Sequence, residues 1–592
     1  MVLTVARREL PAQRPPWFII PAQIRVTPQT FVSLLAAAGF FLSSLSGPAQ
    51  GVQHLTIIQP GGMPGLPVMT GIEQATNSVV LTWDGPSGYY HLYQKSQLPG
   101  GSWQPFGNFN LNRTATLTNL AGNAFFRVSG PAPRYAGELT CAQCHGNVHS
   151  TVMNTAHAQA FAALQRIHQD TNSSCLPCHT VGYGLPTGFA NAVSTPQLEG
   201  VQCENCHGPG ANHAANPGDP TVVPRVDLAA QVCGGCHSSQ LTPASVVTRH
   251  PLGFGFEDWS VSPHGAVVPD VLQSMASSAN NINNCGRCHS GSAREALLDG
   301  QNPTALTNDY NVAITCAVCH DPHTENIWTN VLNGVIVFTN QLNPGGNVAY
   351  ITNNVLGPVY TNQLRNPYAS TNDFALTTSA VFSNAYNPII NVCAQCHNDR
   401  GSAWTDTSRS PHHSPQYNIL LGTVGQLTTG PTPGYPSTHS FLEMQCAACH
   451  MQTTNASSGH SFQVVTYQLC YNCHSQQGGG PGGLVQSTSN NISIYIQRIK
   501  GELDMWATNN APDELRTNYG TLAWEYTTPG DLSSGGSGPN SAQQALISTN
   551  IMQARFDLYL VLYDGSYGVH NVYYDYLLLQ NAEAFVISQL YQ

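Results

Sequence analysis

The chain has 592 residues, a formal net charge of -11 and only 9% charged side chains against 41% hydrophobic ones. That length supports several domains, and the acidic balance argues against nucleic acid as a partner and for basic or cationic ones. Abundant Gly, Pro, Asn, Ser and Thr are the composition of a loop-rich exported protein, not of a helix-rich cytosolic enzyme.

Residues 1–49 read as a signal peptide. Arg7, Arg8, Arg14 and Arg25 precede an apolar run from Phe31 to Leu45, and small residues follow to an expected cleavage near Ala49. The run is too short, and too interrupted by serines, for an anchor, so no membrane span is expected after leader removal. Residues 52–132 then alternate in short runs: VVLTW (Val79 to Trp83), YYHLYQ (Tyr89 to Gln94), TATLTNL (Thr114 to Leu120) and AFFRVSG (Ala124 to Gly130). This pattern predicts an N-terminal β-sandwich. Trp83, the Tyr-rich strand and the late FFRV strand are similar to a fibronectin type III module. It carries no metal-ligand cluster, so His54 and His91 read as ordinary histidines and the module as a spacer or docking unit.

From Arg134 onward the chain carries nine C-x-x-C-H pentads. In order they are Cys141, Cys144 and His145; Cys175, Cys178 and His179; Cys203, Cys206 and His207; Cys233, Cys236 and His237; Cys285, Cys288 and His289; Cys316, Cys319 and His320; Cys393, Cys396 and His397; Cys446, Cys449 and His450; and Cys470, Cys473 and His474. They use all 18 cysteines, so none remains for a disulfide. In such a pentad two thiols take the porphyrin vinyl groups as thioethers and the adjoining histidine ligates the iron from one face. Zinc or dithiol chemistry explains the thiol spacing but not a histidine locked to one position nine times. The predicted cofactors are therefore nine covalently attached haem c groups (iron). Between pentads the segments are short and rich in Gly, Pro and Asn. A mostly α and loop region with little regular sheet is expected, with haems taking the place of a side-chain core.

Nine irons also need ligands on their second faces, and fourteen of the 23 histidines lie outside the pentads. A recurring Ser/Thr-x-His form marks His157, His264, His412 and His439, while His213, His323 and His460 sit just after a pentad or in a Gly-His setting. His149 or His250 can supply a further ligand. His413, beside His412, is an alternative to it, and His168 reads as helical surface. The spacing suggests three trihaem modules, residues 134–224, 225–325 and 391–476, each running pentad, Ser/Thr-x-His, pentad, pentad. Residues 326–390 form an Asn-rich β insertion without histidine, a hairpin cover or an assembly surface. Gly478 to Gly483 read as a linker. Residues 484–592 follow as C-terminal helices ending in a helical hairpin, with Ser541 as a candidate N-cap, Ile547, Ile551, Ala554, Leu558 and Val561 on one face, and His570 at the corner.

The run from Tyr135 to His213, with CAQCH, TAHA, CLPCHTVGYG and GVQCENCHGPGANH, resembles the cytochrome c554 family of tetrahaem electron carriers. The resemblance implies two histidine ligands at most haems, with His157 and His213 in that role. The closing helices with GVHN are similar to the C-terminal part of the multihaem group that includes pentahaem nitrite reductase and hydroxylamine oxidoreductase. This likeness implies a ligand role for His570. The C-x-x-C-K motif of the nitrite reductases is absent, and Lys95 and Lys500 are the only lysines.

The expected function is an exported nonahaem c-type cytochrome, periplasmic or at the cell surface, that transfers electrons along a chain of mostly bis-His haems. Its partners are redox proteins or extracellular acceptors, and it has no catalytic residue. The alternative is a multihaem oxidoreductase in which one five-coordinate haem reduces or oxidises a small nitrogen or sulfur compound. A third reading has the β-module and the insertion building a surface complex or filament.

Overall fold

The computed structural model of the chain describes strand segments between residues 42 and 129, then residues 133–219, 222–224, 229–239, 255–306 and 312–324. It further describes strand segments and residues 363–365 within 327–365, and residues 392–428, 430–431, 435–442, 446–452, 459–474 and 479–591. Two compact units are present, Met1–Asp227 with Leu241–Pro243, and Leu228–Gln240 with Ala244–Gln592.

In the first unit the strands are β1 (Leu42–Ser44), β2 (Val68–Ala75), β3 (Ser78–Asp84), β4 (Tyr90–Lys95), β5 (Gln104–Phe109), β6 (Thr114–Thr118) and β7 (Ala124–Ser129), of which β3, β4, β6 and β7 fall on the four alternating runs. They form two antiparallel sheets, ordered β1-β7-β4-β5 and β2-β3-β6. Leu81 and Trp83, two apart on β3, are buried together with Leu92 and Val128, as the two-residue side-chain period of a strand requires. β1 falls inside the predicted leader and pairs with Ala124 to Phe126; the rest of that leader lies outside the described residues.

The haem-motif region of this unit begins with α1 (Glu138–Val152), which carries the first pentad and breaks helical geometry at His145. α2 (Ala160–Arg166) follows. A small core of Phe161, Leu164, Leu176, Val181, Phe189 and Leu198 packs α2 against the segment that follows it.

The second unit surrounds its pentads with short helices, among them α3 (Gly291–Leu298) and α4 (Gln416–Leu421). Val335–Thr339 pairs with Val348–Thr352, and Ile327–Thr329 with Pro358–Tyr360, both antiparallel, within the predicted β insertion. The largest core lies at the C-terminus, where α5 (Gly480–Asn509), α6 (Asp513–Tyr519), α7 (Thr549–Asp564) and α8 (Val572–Leu590) pack together. Ile492, Ile496, Ile499 and Leu503 of α5 recur at helical spacing and are fully buried, the apolar stripe of a core-facing helix.

Two expectations shift here. The Gly-rich stretch expected to be a linker already contains the first turn of α5, because Pro481 sits where a helix has no use for the missing N–H. Ser548, not Ser541, caps α7, its hydroxyl accepting from Ile551 N at 3.4 Å. Residues Gln543–Leu546 form a separate 3-10 turn, held because buried Gln544 donates to Glu525 O at 2.8 Å and Pro539 O at 3.0 Å. Among the described residues no helix is long and apolar enough to cross a membrane.

Candidate haem-binding sites

The pentad Cys203–His207 is a single helical turn with an unusually dense set of backbone contacts. Asn205 Oδ1 accepts from Gln202 N at 2.8 Å, and Gln202 Oε1 accepts from Glu138 N at 2.9 Å. Buried Glu204 gathers N–H donors from Ala136 (3.0 Å), Gly137 (2.8 Å) and Gly210 (2.7 Å). Burial raises its carboxyl above the ordinary carboxylate value, and the three N–H groups offset only part of that rise. Gly208, at φ 81°, lets the chain turn so that Gly210 reaches the carboxylate. The sequence reading passed over Glu204; its signal was an acid inside a pentad followed directly by Gly-Pro-Gly.

In the second unit five histidine pairs face each other. Ring centres lie 6.0 Å apart for His289 and His412, 6.1 Å for His264 and His397, 6.2 Å for His439 and His474, 6.2 Å for His450 and His570, and 6.4 Å for His320 and His460. Every pair joins one pentad histidine to one histidine from outside the pentads. A first-row metal ion sits about 2 Å from an imidazole nitrogen, and the ring centre lies roughly 1 Å behind it, so two rings on opposite faces of one ion have centres roughly 6 Å apart. The spacing fits an iron held between the rings. A zinc-type cluster does not form, because among the described residues no three His, Cys, Asp or Glu groups converge as metal ligands.

Three of the pairs cross the module boundaries suggested by sequence spacing. His264, which lies in sequence between the Cys233 and Cys285 pentads, faces His397; His412 and His460 face His289 and His320. The loop carrying His412 is fastened to the Cys393 pentad, Ser414 donating to Asn398 O at 2.7 Å and Tyr417 N to His397 O at 3.1 Å. Its ring nonetheless points at the neighbouring pentad.

Burial favours the neutral, metal-binding form of several of these imidazoles. It lowers His264 to about 4, with His397 adding to the effect, and His412 to about 3, with His413 adding to it. His289, His439 and His450 are lowered mainly by burial too. His570 is the exception: burial pushes it down, but the Asp564 carboxylate overrides this and raises it.

The thiols form a connected series. Cys233 and Cys316, Cys288 and Cys396, and Cys393 and Cys446 lie within hydrogen-bonding reach of each other. Cys319 is close enough to Cys393, and Cys449 to Cys470, to feel its charge. All six pentads of the second unit are thus linked through attachment cysteines. In the first unit Cys141 and Cys203 are similarly paired. Buried Arg294 lies near Cys288, Cys319 and Cys396. Arg365 ties the Cys316 pentad to the end of the β insertion, donating to Ala317 O and to Glu295, at 2.7 and 2.6 Å.

Other predicted ligands stand as follows. His149 Nε2 meets Glu138 Oε2, and His179 Nδ1 lies 2.8 Å from Ala160 O. Nδ1 of His213 is buried without a hydrogen-bond partner. His323 Nδ1 lies 3.6 Å from Asp321, with its side chain 45% exposed. His157 accepts at its backbone carbonyl from Val201 N at 3.0 Å. His413 stacks on His412 at 4.3 Å. The pentad histidines His145, His207 and His237 lie on or at the ends of helices. His250 lies outside the described residues.

Comparison with known proteins agrees with this chemistry. Residues 140–208 match the family model described as cytochrome c554 and c-prime. Cytochrome c-554 of Nitrosomonas europaea is 30% identical over 113 residues, 17% of this chain and 47% of that protein, so the chain spans about half the length of this curated relative. Two solved structures are similar at low identity. The undecahaem cytochrome from the S-layer of Carboxydothermus ferrireducens has a TM-score of 0.46 at 19% identity, over 78% of this chain and 70% of that one. The outer cell wall cytochrome OcwA has a TM-score of 0.43 at 18% identity, over 76% and 99%. The family match over residues 140–208 and the curated relative make this stretch similar to cytochrome c554, and the repeated C-x-x-C-H pentads are the attachment motif of haem c.

Proposed function

We propose that the chain is an exported nonahaem electron carrier, periplasmic or at the cell surface, that passes electrons between redox partner proteins or to extracellular acceptors. The observation that carries this reading is the set of five pentad-to-outside histidine pairs at 6.0 to 6.4 Å. Haem c, when bound, supplies one-electron cycling of its iron. The protein's own contribution would be an imidazole from each paired histidine as a ligand to that iron, an arrangement that would leave no position for a substrate and favours a carrier over a catalyst. Histidine on the second face also keeps the potential below that of a Met/His cytochrome. The linked cysteines hold neighbouring attachment points together, so that transfer has a continuous route through the second unit.

The five pairs use His264, His412, His439, His460 and His570. His149, His157, His213, His250 and His323 then remain as candidate second ligands for the pentads at Cys141, Cys175, Cys203 and Cys233. The β-module and the insertion are the candidate surfaces for assembly.

The test is the intact mass of the matured protein together with iron per chain. Nine haem additions and nine irons support the reading; fewer, with unmodified pentad cysteines, contradict it.

A further inference from the structure

The corner between α7 and α8 sets a buried carboxylate against one of the paired rings. Asp564 ends α7 with its side chain fully buried, and its Oδ1 lies 2.7 Å from His570 Nδ1. Gly565, at φ 71°, reverses the chain and brings Ser566 back over the same carboxylate. Ser566 donates to Asp564 Oδ2 from its hydroxyl and, at 3.3 Å, from its N–H. The same hydroxyl accepts from His570 N at 3.0 Å. The carboxylate and the ring are therefore fixed with respect to each other.

Within the five pairs, the other ring nitrogens with described partners meet neutral groups. His439 Nδ1 faces Val569 O at 2.8 Å, His450 Nδ1 faces Phe462 O at 3.1 Å, His412 Nδ1 faces Ser414 Oγ at 3.1 Å, and His397 Nδ1 faces Gln416 Oε1 at 3.3 Å. A carboxylate differs from these in two ways. It draws the Nδ1 proton toward itself and makes Nε2 a stronger donor, and it adds a negative charge beside the metal where little water screens it. Both effects favour the ferric over the ferrous ion.

We propose that Asp564 is a positioning residue that acts through His570 to lower the reduction potential of the haem held between His450 and His570. This rests on the reading that these two histidines share one iron. It makes that haem harder to reduce than its carbonyl-partnered neighbours, so electrons leave it readily in either direction along the series.

The experiment is a spectroelectrochemical titration of haem-loaded wild-type protein and variants, with haem content measured on each. Asp564→Asn keeps an acceptor but removes the charge; one midpoint should rise by about 59 mV, a tenfold change in that haem's reduction equilibrium, with the others in place. Asp564→Glu should restore most of the original value. Ser566→Ala, which only loosens the carboxylate, should move the same midpoint part of the way. His570→Met separates the two claims, because a Met/His haem has a higher potential and a distinct spectrum. If His570→Met alters no haem, the shared iron is wrong. If His570→Met alters one haem while fully loaded Asp564→Asn and Ser566→Ala titrate as wild type, Asp564 does not set the potential.

Discussion

Cys288 and Cys396 pack reciprocally across two pentads far apart in sequence: Cys288 Sγ lies 3.9 Å from Gln395 O, and Cys396 Sγ lies 3.8 Å from Arg287 O. The two pentads also exchange partners, each facing the Ser-Pro-His loop nearer in sequence to the other, since His289 faces His412 and His397 faces His264. A pseudo-twofold pair of sites results, and its order in space differs from its order along the chain.

That packing has a redox consequence for protein made without haem attachment. Cys288 is lowered to about 7, foremost by its contact with Cys396 and with nearby arginines adding, whereas Cys396 is pushed up by the same contact and by burial. A thiolate held against a thiol is poised to oxidise. Haem-free protein exposed to oxidant is expected to yield the Cys288–Cys396 disulfide between pentads, read by non-reducing peptide mapping. Disulfides confined within single pentads would contradict the packing.

The partner exchange makes a prediction about counts. His264→Ala and His412→Ala should each convert one haem to high spin. Combining His264→Ala with His397→Ala should still disturb one low-spin haem, because the two share an iron, whereas His264→Ala with His289→Ala should disturb two. Quantitative EPR of the oxidised proteins distinguishes these outcomes; the reverse counts would restore the self-contained modules suggested by spacing.

Glu204 should matter more for stability than for electron transfer. Glu204→Ala leaves the N–H groups of Ala136, Gly137 and Gly210 without their acceptor, at a cost on the order of 3 kcal/mol or more given the strength of bonds to a charged group. Glu204→Gln keeps part of the contact and should lose less. Denaturant unfolding of the two variants measures the difference.

Asp557 predicts a pH dependence. It is fully buried, burial pushes its carboxyl well up, and its Oδ1 accepts from Gln426 N at 2.7 Å. Because the folded-state value lies above the unfolded one of about 3.9, the native state binds more protons across the interval between them. This contribution to stability is present at low pH and is lost as pH rises through the folded-state value. Asp557→Asn keeps an acceptor for Gln426 and should flatten the fall in thermal stability as pH rises above the unfolded-state value of about 3.9. Equal slopes for variant and wild type would show that Asp557 is not the source.

The pentads and the histidines outside them were legible because C-x-x-C-H is local chemistry, written in five consecutive residues. Strand alternation and the α7 face Ile551 to Val561 were legible for a similar reason, since periodicity is local. Which outside histidine meets which pentad was not. His264 and His397 are brought together by tertiary packing of the Cys285 and Cys393 pentads, and sequence spacing carries no information on that contact. Asp564 and Glu204 were hidden for another reason: an acid next to a turn ordinarily reads as solvated surface, and only burial gives it a role. The start of α5 was misjudged because Gly and Pro break helix interiors but are tolerated in a first turn.

The most direct test of the account is the spin state of every iron in the purified, haem-loaded protein, from EPR quantified against total iron and from CO addition to the reduced form. Imidazole on both faces predicts low-spin signal for all nine irons and no CO adduct. A high-spin signal amounting to one iron per chain, or a stoichiometric CO adduct, would contradict the carrier reading and put an open, reactive haem in its place.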